Sequence, residues 1–165
     1  MSLTVIDNFL PEDQWQNIHD SLLGNQFPWF YNNSILAEPD ATKLYDFQFT
    51  HIFYNWYMPT GTHSTLLAPL IQKINPMSLI RIKANLGGRT PDLVEGGYHT
   101  DYDSDCTTAV YYVNSNNGYT KFESGEIVES VANRFVSFPS RLKHTGSTCT
   151  DNKVRCLINF NYTTW

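Results

Sequence analysis

The sequence predicts a mainly β fold, a jelly roll of two packed sheets with α-helices flanking one face. Two observations carry this prediction. About eight or nine short segments alternate apolar and polar residues or form brief apolar runs, and turn signals such as Asn116-Asn117-Gly118 separate them. Two segments with helical periodicity lie in the first half of the chain. Helices early and strands late are typical of helices packed on one face of a β-sandwich.

Length and composition support one folded domain over residues 1–165. A chain of 165 residues can bury a single hydrophobic core. Hydrophobic residues make up 41% and aromatic residues 15%, which argues against disorder. The net charge of −5 lacks the basic footprint of a general nucleic-acid binder, so we expect no bulk nucleic-acid binding.

The sequence also indicates a compartment. No apolar run reaches the length of a membrane-spanning helix, and the N-terminus lacks the basic start and apolar core of a signal peptide. Cys106, Cys149 and Cys156 are odd in number and have no repeated spacing, so they give no disulfide framework. We therefore expect reduced thiols in a soluble cytoplasmic protein without a membrane partner.

The N-terminal part, about residues 1–78, is expected to form a helical support. Trp15, Ile18 and Leu22 recur at helical spacing, so this helix should lay one apolar face on a sheet. The predicted elements of this part are a strand over 3–6, a helix over 11–24, a strand over 47–54 and a helix over 64–74.

The jelly-roll core is expected over about residues 79–165. Its first strand places Arg81, Lys83 and Asn85 on one polar face, which either meets solvent or lines a wet cavity. The glycine-containing connection over 87–97 is typical of a substrate lid or of a plain surface loop. Further strands are predicted over 107–114, 119–122, 127–131, 134–138 and 154–162, and the last of them should be central in its sheet.

A candidate metal site begins at His99-Thr100-Asp101. Side chains two residues apart on a strand point to the same face, so this imidazole and this carboxylate can share one metal ion. His144 follows a later apolar strand and supplies the distant third ligand that such a pair needs to enclose a metal. Two histidines and one carboxylate on one face of Fe(II) leave the other positions open for substrate and O₂.

Arg155 accompanies this set, eleven residues after His144. It lies on the polar face of a strand expected to be buried, where an unpaired charge is costly. No acidic residue is obviously placed to be its partner in the sequence. A planar guanidinium binds carboxylates through two parallel hydrogen bonds, so a dicarboxylate cosubstrate would meet this requirement.

At these positions the sequence resembles the Fe(II)/2-oxoglutarate-dependent dioxygenases of the prolyl-4-hydroxylase-like branch, and most of all their short forms in bacteriophages and marine microbes. The resemblance covers about residues 79–162, and the opening over residues 5–10 is of the same type. The motifs that carry it are His99-Thr100-Asp101, His144 and Arg155, supported by Asn117-Gly118-Tyr119-Thr120 and by the segment over 133–138.

The resemblance implies a double-stranded β-helix in which His99, Asp101 and His144 bind Fe(II). It implies that Arg155 binds the distal carboxylate of the cosubstrate 2-oxoglutarate, whose other end would chelate the iron beside O₂. Such enzymes hydroxylate a C–H bond of a primary substrate and release succinate and CO₂. The protein then supplies the positioning of the substrate and the exclusion of water.

Further contacts to 2-oxoglutarate are expected from Asn85, from Tyr111 or Tyr112, and from Asn159. Asn161 is a further pocket-lining candidate, and for each of these residues ordinary packing or a backbone hydrogen bond is the alternative. Collagen-type prolyl hydroxylases generally carry Lys where this chain has Arg155, so the resemblance does not extend to prolyl specificity. The primary substrate, a protein side chain or a small molecule, is left open.

Three alternative functions compete with a dioxygenase for this sequence. A non-catalytic jelly-roll binding module with a relic metal site accounts for the fold, but it leaves Arg155 unexplained. A Zn²⁺ hydrolase could use the same three ligands, although the sequence shows no neighbouring Glu as general base. Nucleophilic catalysis by Cys106 or Cys149 with a histidine has no supporting sequence context.

Overall fold

The computed structural model describes residues 2–35 and 45–165 and confirms the mainly β jelly roll. Two α-helices lie in the first half of the chain, α1 (Glu12–Leu23) and α2 (Ala68–Ile74), and a 3-10 helix over Thr62–Leu67 leads into α2. The strands are β1 (Thr4–Ile6), β2 (Phe30–Asn32), β3 (Gln48–Asn55), β4 (Met58–Pro59), β5 (Ser78–Gly88), β6 (Thr107–Tyr112), β7 (Tyr119–Phe122), β8 (Ile127–Glu129), β9 (Arg134–Pro139), β10 (His144–Gly146) and β11 (Val154–Thr163).

Among the described residues the strands form two antiparallel sheets. The larger sheet has the order β1-β9-β6-β11-β5-β3-β2, with β4 added on β3. The smaller sheet has the order β10-β7-β8. The C-terminal strand β11 lies between β5 and β6, as the sequence predicted for a central strand.

Helix α1 packs on the larger sheet through the predicted face. Ile18 and Leu22 are fully buried there, because their helical spacing places both side chains on one side of α1. Trp15 packs partly buried beside them and donates from Nε1 to the Val113 carbonyl at 2.9 Å. This hydrogen bond connects α1 to the segment that follows β6.

The first 78 residues contribute more than a helical support. Strand β3 pairs with β5 and β1 pairs with β9, so both extend the larger sheet. The alternating apolar residues of β3 bury one face, and His51 on that face hydrogen-bonds through Nδ1 to the Pro28 carbonyl at 2.8 Å. The sheet of the jelly roll is therefore built from both halves of the chain.

The two faces of β11 lie in different environments. Ile158 lies opposite Tyr111 and faces the core beneath the helices, whereas Leu157 lies opposite Tyr112 and faces the space between the two sheets. Because side chains alternate along a strand, Arg155 and Asn159 share the face of Leu157. The candidate site residues of β11 therefore lie inside the jelly roll.

No helix among the described residues is long and apolar enough to cross a membrane. Cys106, Cys149 and Cys156 are unpaired, and the last two are buried.

Candidate functional site

The structure brings His99, Asp101 and His144 together. One nitrogen of each imidazole and a carboxylate oxygen lie within 4.8 Å of one another. The sequence predicted a strand at His99, but the regular pairing there is limited to a bridge in which the backbones of His99 and His144 exchange hydrogen bonds of 2.9 and 3.0 Å. This bridge holds the two imidazoles side by side, with ring centroids 4.7 Å apart.

Both imidazoles are oriented by their own backbone neighbours. Nδ1 of His99 contacts the Gly97 carbonyl and Nδ1 of His144 contacts the Leu142 carbonyl, each at 3.1 Å. A carbonyl oxygen accepts but cannot donate, so these contacts place the ring hydrogen on Nδ1 and leave the Nε2 lone pair available. Burial lowers the pKa of His144, which favours the neutral ring that a metal requires.

The two oxygens of the Asp101 carboxylate have different surroundings. Oδ1 accepts a hydrogen bond from Arg81 Nη2 at 3.1 Å. Oδ2 is buried, has no hydrogen-bond partner among the described residues, and lies 3.7 Å from His144 Nε2. A buried acceptor without a donor is costly, and a cation held between Oδ2 and the imidazole nitrogens would satisfy it. The donor set therefore fits a divalent metal.

Arg81 belongs to a hydrogen-bond network of which the sequence predicted only Asn161, as a pocket-lining residue. Its Nε donates to Asn161 Oδ1 at 3.1 Å, and Asn161 Nδ2 donates to Thr108 Oγ1 at 3.0 Å. These contacts fix the guanidinium that holds Asp101. The alternation of β5 was the available signal, and the structure shows that its polar face lines a cavity.

Arg155 lies at the other end of this cavity, almost completely buried. Its Nε donates to Ser130 Oγ at 2.9 Å and its Nη2 to the Tyr119 carbonyl at 3.0 Å. Its guanidinium also lies over the Tyr112 ring, 5.8 Å from the centroid. No described carboxylate pairs with it, and burial lowers its pKa because the charge is desolvated. An anionic ligand would supply the missing partner.

The turn before β7 leaves room for the Arg155 side chain. A Cβ added to Gly118 would lie 2.6 Å from Arg155 Cδ and 2.7 Å from the Thr148 carbonyl oxygen, closer than real contacts allow. Gly118, which the sequence predicted as a hairpin residue, is therefore also needed because any side chain at this position would clash with Arg155.

The remaining sequence-predicted pocket residues divide by strand face. Asn85 and Asn159 line the cavity, and the Oδ1 atoms of both are buried without a hydrogen-bond partner among the described residues. Tyr111 does not reach it, because its side chain faces the helices and its hydroxyl donates to Asn133 Oδ1 at 2.9 Å. Its neighbour Tyr112 faces the interior instead, under Arg155.

A cavity of about 530 Å³ joins the three metal-binding candidates to Arg155. A second cavity of about 540 Å³ shares Asn85, His99 and Arg155 with it and is also lined by Phe47 and Val94. Such volumes suit a small ligand.

The connection over 87–97 lines the second cavity and is hydrogen-bonded to the end of β10 and to the residues that follow it. Thr90 Oγ1 donates to Thr148 Oγ1 at 2.6 Å, and the backbones of Val94 and Gly96 hydrogen-bond Thr148 and Gly146. The segment is therefore bonded at several points along its length in this structure.

Lys83 is a second residue on the polar face of β5 that the sequence did not assign to the site. It lines the cavity between Arg81 and Asn85 and is partly buried. Burial lowers its pKa, the nearby charge of Arg81 lowers it further, and Asp101 acts in the opposite direction. No described residue accepts a hydrogen bond from its ammonium group.

The cysteines are not placed for nucleophilic catalysis. Cys149 is buried and contacts the Asn152 carbonyl, and burial raises the pKa of its thiol, which disfavours the thiolate. None of the three cysteines lines either cavity.

Comparisons with known proteins address the fold. No protein-family model matches the sequence, and no curated protein matches it. Among solved structures, a Burkholderia pseudomallei oxidoreductase of the 2OG-Fe(II) oxygenase family superposes with a TM-score of 0.70 at 12% identity, covering 98% of this chain and 85% of that one. The fold is that of 2-oxoglutarate–Fe(II) oxygenases.

Two prolyl hydroxylases share it as well. The enzyme from Trichoplax adhaerens, solved with a peptide of hypoxia inducible factor, has a TM-score of 0.65 at 16% identity, with 98% of this chain and 83% of that chain covered. The viral collagen prolyl hydroxylase of Paramecium Bursaria Chlorella virus-1 has a TM-score of 0.65 at 12% identity, with 99% and 97% covered.

Proposed function

We propose that this protein is an Fe(II)- and 2-oxoglutarate-dependent dioxygenase that hydroxylates an organic substrate with release of succinate and CO₂. The observation that carries the proposal is the pairing of two features in one cavity. Three metal-binding candidates converge at one end of the cavity: His99, Asp101 and His144. The buried Arg155, which pairs with no described carboxylate, lies at the other end. A metal-chelating dicarboxylate would satisfy both.

In this proposal Nε2 of the two histidines and Oδ2 of Asp101 hold the metal. Bound Fe(II) together with 2-oxoglutarate and O₂ supplies the oxidising chemistry. Arg155 binds the distal carboxylate of 2-oxoglutarate, and Ser130 and the Tyr119 carbonyl keep its guanidinium in place. Asn85 and Asn159 line the same cavity, and their Oδ1 atoms have no hydrogen-bond partner among the described residues, so these side chains can orient the cosubstrate.

The alternatives explain less of the site. A Zn²⁺ hydrolase needs a general base, and Asp101 is the one acidic residue among those described that line the metal end of the cavity. A non-catalytic module gives no reason to bury Arg155 without an acidic partner. The dioxygenase proposal accounts for both features.

The proposal is tested by following the conversion of 2-oxoglutarate to succinate by NMR, with Fe(II), ascorbate and air but no added primary substrate. We expect slow succinate formation that requires metal and that Asp101→Ala abolishes. Asp105→Ala is the matched control, because this carboxylate is solvent-exposed and outside the cavity. Absence of succinate, or equal rates in wild type and Asp101→Ala, would contradict the proposal.

A further inference from the structure

The polar face of β5 places two positively charged side chains in the cavity, Arg81 and Lys83. They differ in whether they have a partner. Arg81 is neutralised by Asp101 at 3.1 Å and hydrogen-bonded to Asn161. Lys83 is the next residue on the same face, opposite Asn159 on β11. It has no ion-pair or hydrogen-bond partner in the part of the chain that the structure describes.

The charges around the cavity do not cancel. Among the described residues that line it, Arg81, Lys83 and Arg155 are positive and Asp101 is negative, which leaves a net charge of +2 when the two histidines bind the metal as neutral rings. A divalent metal and the 2-oxoglutarate dianion cancel each other, so binding them leaves this surplus unchanged. An unpaired ammonium inside a cavity is costly, and an anionic ligand reduces that cost.

The cosubstrate does not account for this charge. In the proposed function Arg155 takes the distal carboxylate of 2-oxoglutarate and the metal takes the other end, so neither needs Lys83. Lys83 lines the cavity and is itself only partly buried, and its neighbour Ile52 on β3 is exposed. A ligand in the cavity can therefore reach the ammonium group.

We propose that Lys83 binds an anionic group, a carboxylate or a phosphate, of the primary substrate, which is therefore an anionic compound hydroxylated beside its charged group. This inference rests on the proposed function and adds the substrate class to it. The ammonium forms charge-assisted hydrogen bonds with the substrate anion and holds the neighbouring carbon next to the metal.

Propionate and methylphosphonate serve as probes for the two head groups. Each is titrated into protein loaded with Mn(II) and saturated with 2-oxoglutarate under anaerobic conditions, and the relaxation of the probe's methyl protons by Mn(II) reports binding close to the metal. We expect at least one probe to bind wild type, Lys83→Arg to retain binding, and Lys83→Met to lose at least tenfold in probe affinity. The affinity for 2-oxoglutarate should stay unchanged in Lys83→Met.

Lys153→Met is the matched control, since it removes the same charge from an exposed loop outside the cavity. Three results would overturn the inference: neither probe binds wild type, Lys83→Met retains probe affinity, or Lys83→Met loses 2-oxoglutarate affinity to the same extent. The last result would assign Lys83 to the cosubstrate.

Failure of the proposed function has a separate signature. If wild type shows no metal-dependent binding of 2-oxoglutarate, the dioxygenase proposal fails by itself. The same titration with Mn(II) alone then reports whether Lys83 binds an anion: probe binding that Lys83→Met abolishes supports the anion site, and equal binding by both proteins overturns it.

Discussion

One carboxylate oxygen of Asp101 accepts a hydrogen bond, and the other has no hydrogen-bond partner among the described residues. Arg81 occupies Oδ1, so Oδ2 is directed toward the histidine nitrogens and can act as a single-oxygen ligand. Residues that orient a metal ligand in this way often contribute tenfold to hundredfold to metal affinity. Arg81 is therefore a positioning residue for the candidate metal.

Replacing Arg81 with Met should weaken Mn(II) binding by about tenfold to hundredfold, because the carboxylate loses the contact that orients it. Isothermal titration of Mn(II) measures this effect without turnover. Arg81→Lys should recover part of the affinity. Arg141→Met, which changes an exposed arginine, is the control. An unchanged affinity in a folded Arg81→Met protein would show that Asp101 does not depend on this contact.

Arg155→Met should lower the affinity for 2-oxoglutarate by at least about tenfold, since a hydrogen-bonded charge contributes roughly 1.5–3 kcal/mol. Mn(II) affinity should remain near that of wild type, because Arg155 contacts none of the three metal-binding candidates. Both affinities are measured by titration of the same protein. Loss of metal binding together with 2-oxoglutarate binding would indicate a general collapse of the cavity instead.

The segment linking β6 to β7 packs against Arg155, so its backbone conformation affects the end of the cavity where this arginine lies. Gly118 lies where any side chain would meet Arg155 and the Thr148 carbonyl. Gly118→Ala should therefore displace Arg155, lower the unfolding free energy by about 1–3 kcal/mol and weaken 2-oxoglutarate binding. Urea unfolding and ligand titration measure the two effects.

Gly61→Ala is the control for that substitution, because a Cβ there meets nothing within 4 Å. If Gly118→Ala binds 2-oxoglutarate as tightly as wild type, the turn accommodates the methyl group without moving Arg155.

Elements were predictable from sequence where their pattern was strong. The apolar spacing of Ile18 and Leu22 identified α1 and its buried face, and alternation identified β5 and β11. Strand β10 was missed because it has three residues, too few for a periodic signal. The sequence also did not predict which side of the sheet Tyr111 and Tyr112 face. All six residues of β6 are buried, and its sequence does not alternate between apolar and polar residues.

The metal-binding candidates and Arg155 were predictable from the sequence. The residues that surround and orient them were less predictable. His99, Asp101, His144 and Arg155 stood out because their chemistry and spacing are rare together. Arg81 and Lys83 were visible as a polar face, but the choice between solvent and cavity depends on the segments that line the same cavity. These include residues of β7 and β10, which are distant in sequence.

At the scale of the whole molecule, Asn133 joins the N-terminal segment to the large sheet. Its side chain accepts from the Leu10 amide, donates to the Leu10 carbonyl and accepts from the Tyr111 hydroxyl, at 2.8, 2.8 and 2.9 Å. Its φ of 61° lies in the left-handed region, which asparagine tolerates better than most residues. This buried polar contact therefore joins the first and second halves of the chain.

Asn133→Ala should lower the unfolding free energy by about 2–4 kcal/mol, because buried backbone groups of Leu10 lose their partners and alanine is strained at this φ. Tyr111→Phe removes one of the three hydrogen bonds and should cost about 1 kcal/mol. Urea unfolding followed by tryptophan fluorescence measures both. Equal stability of Asn133→Ala and wild type would show that the N-terminal segment docks without this contact.

The most direct test of the central claim is isothermal titration of 2-oxoglutarate into anaerobic protein loaded with Fe(II), repeated with Mn(II) as a redox-silent metal and with metal-free protein. The dioxygenase account predicts binding that requires metal and is weakened in both Asp101→Ala and Arg155→Met. Absence of binding with either metal, or equal binding by metal-free protein, would contradict it and favour a jelly-roll binding module.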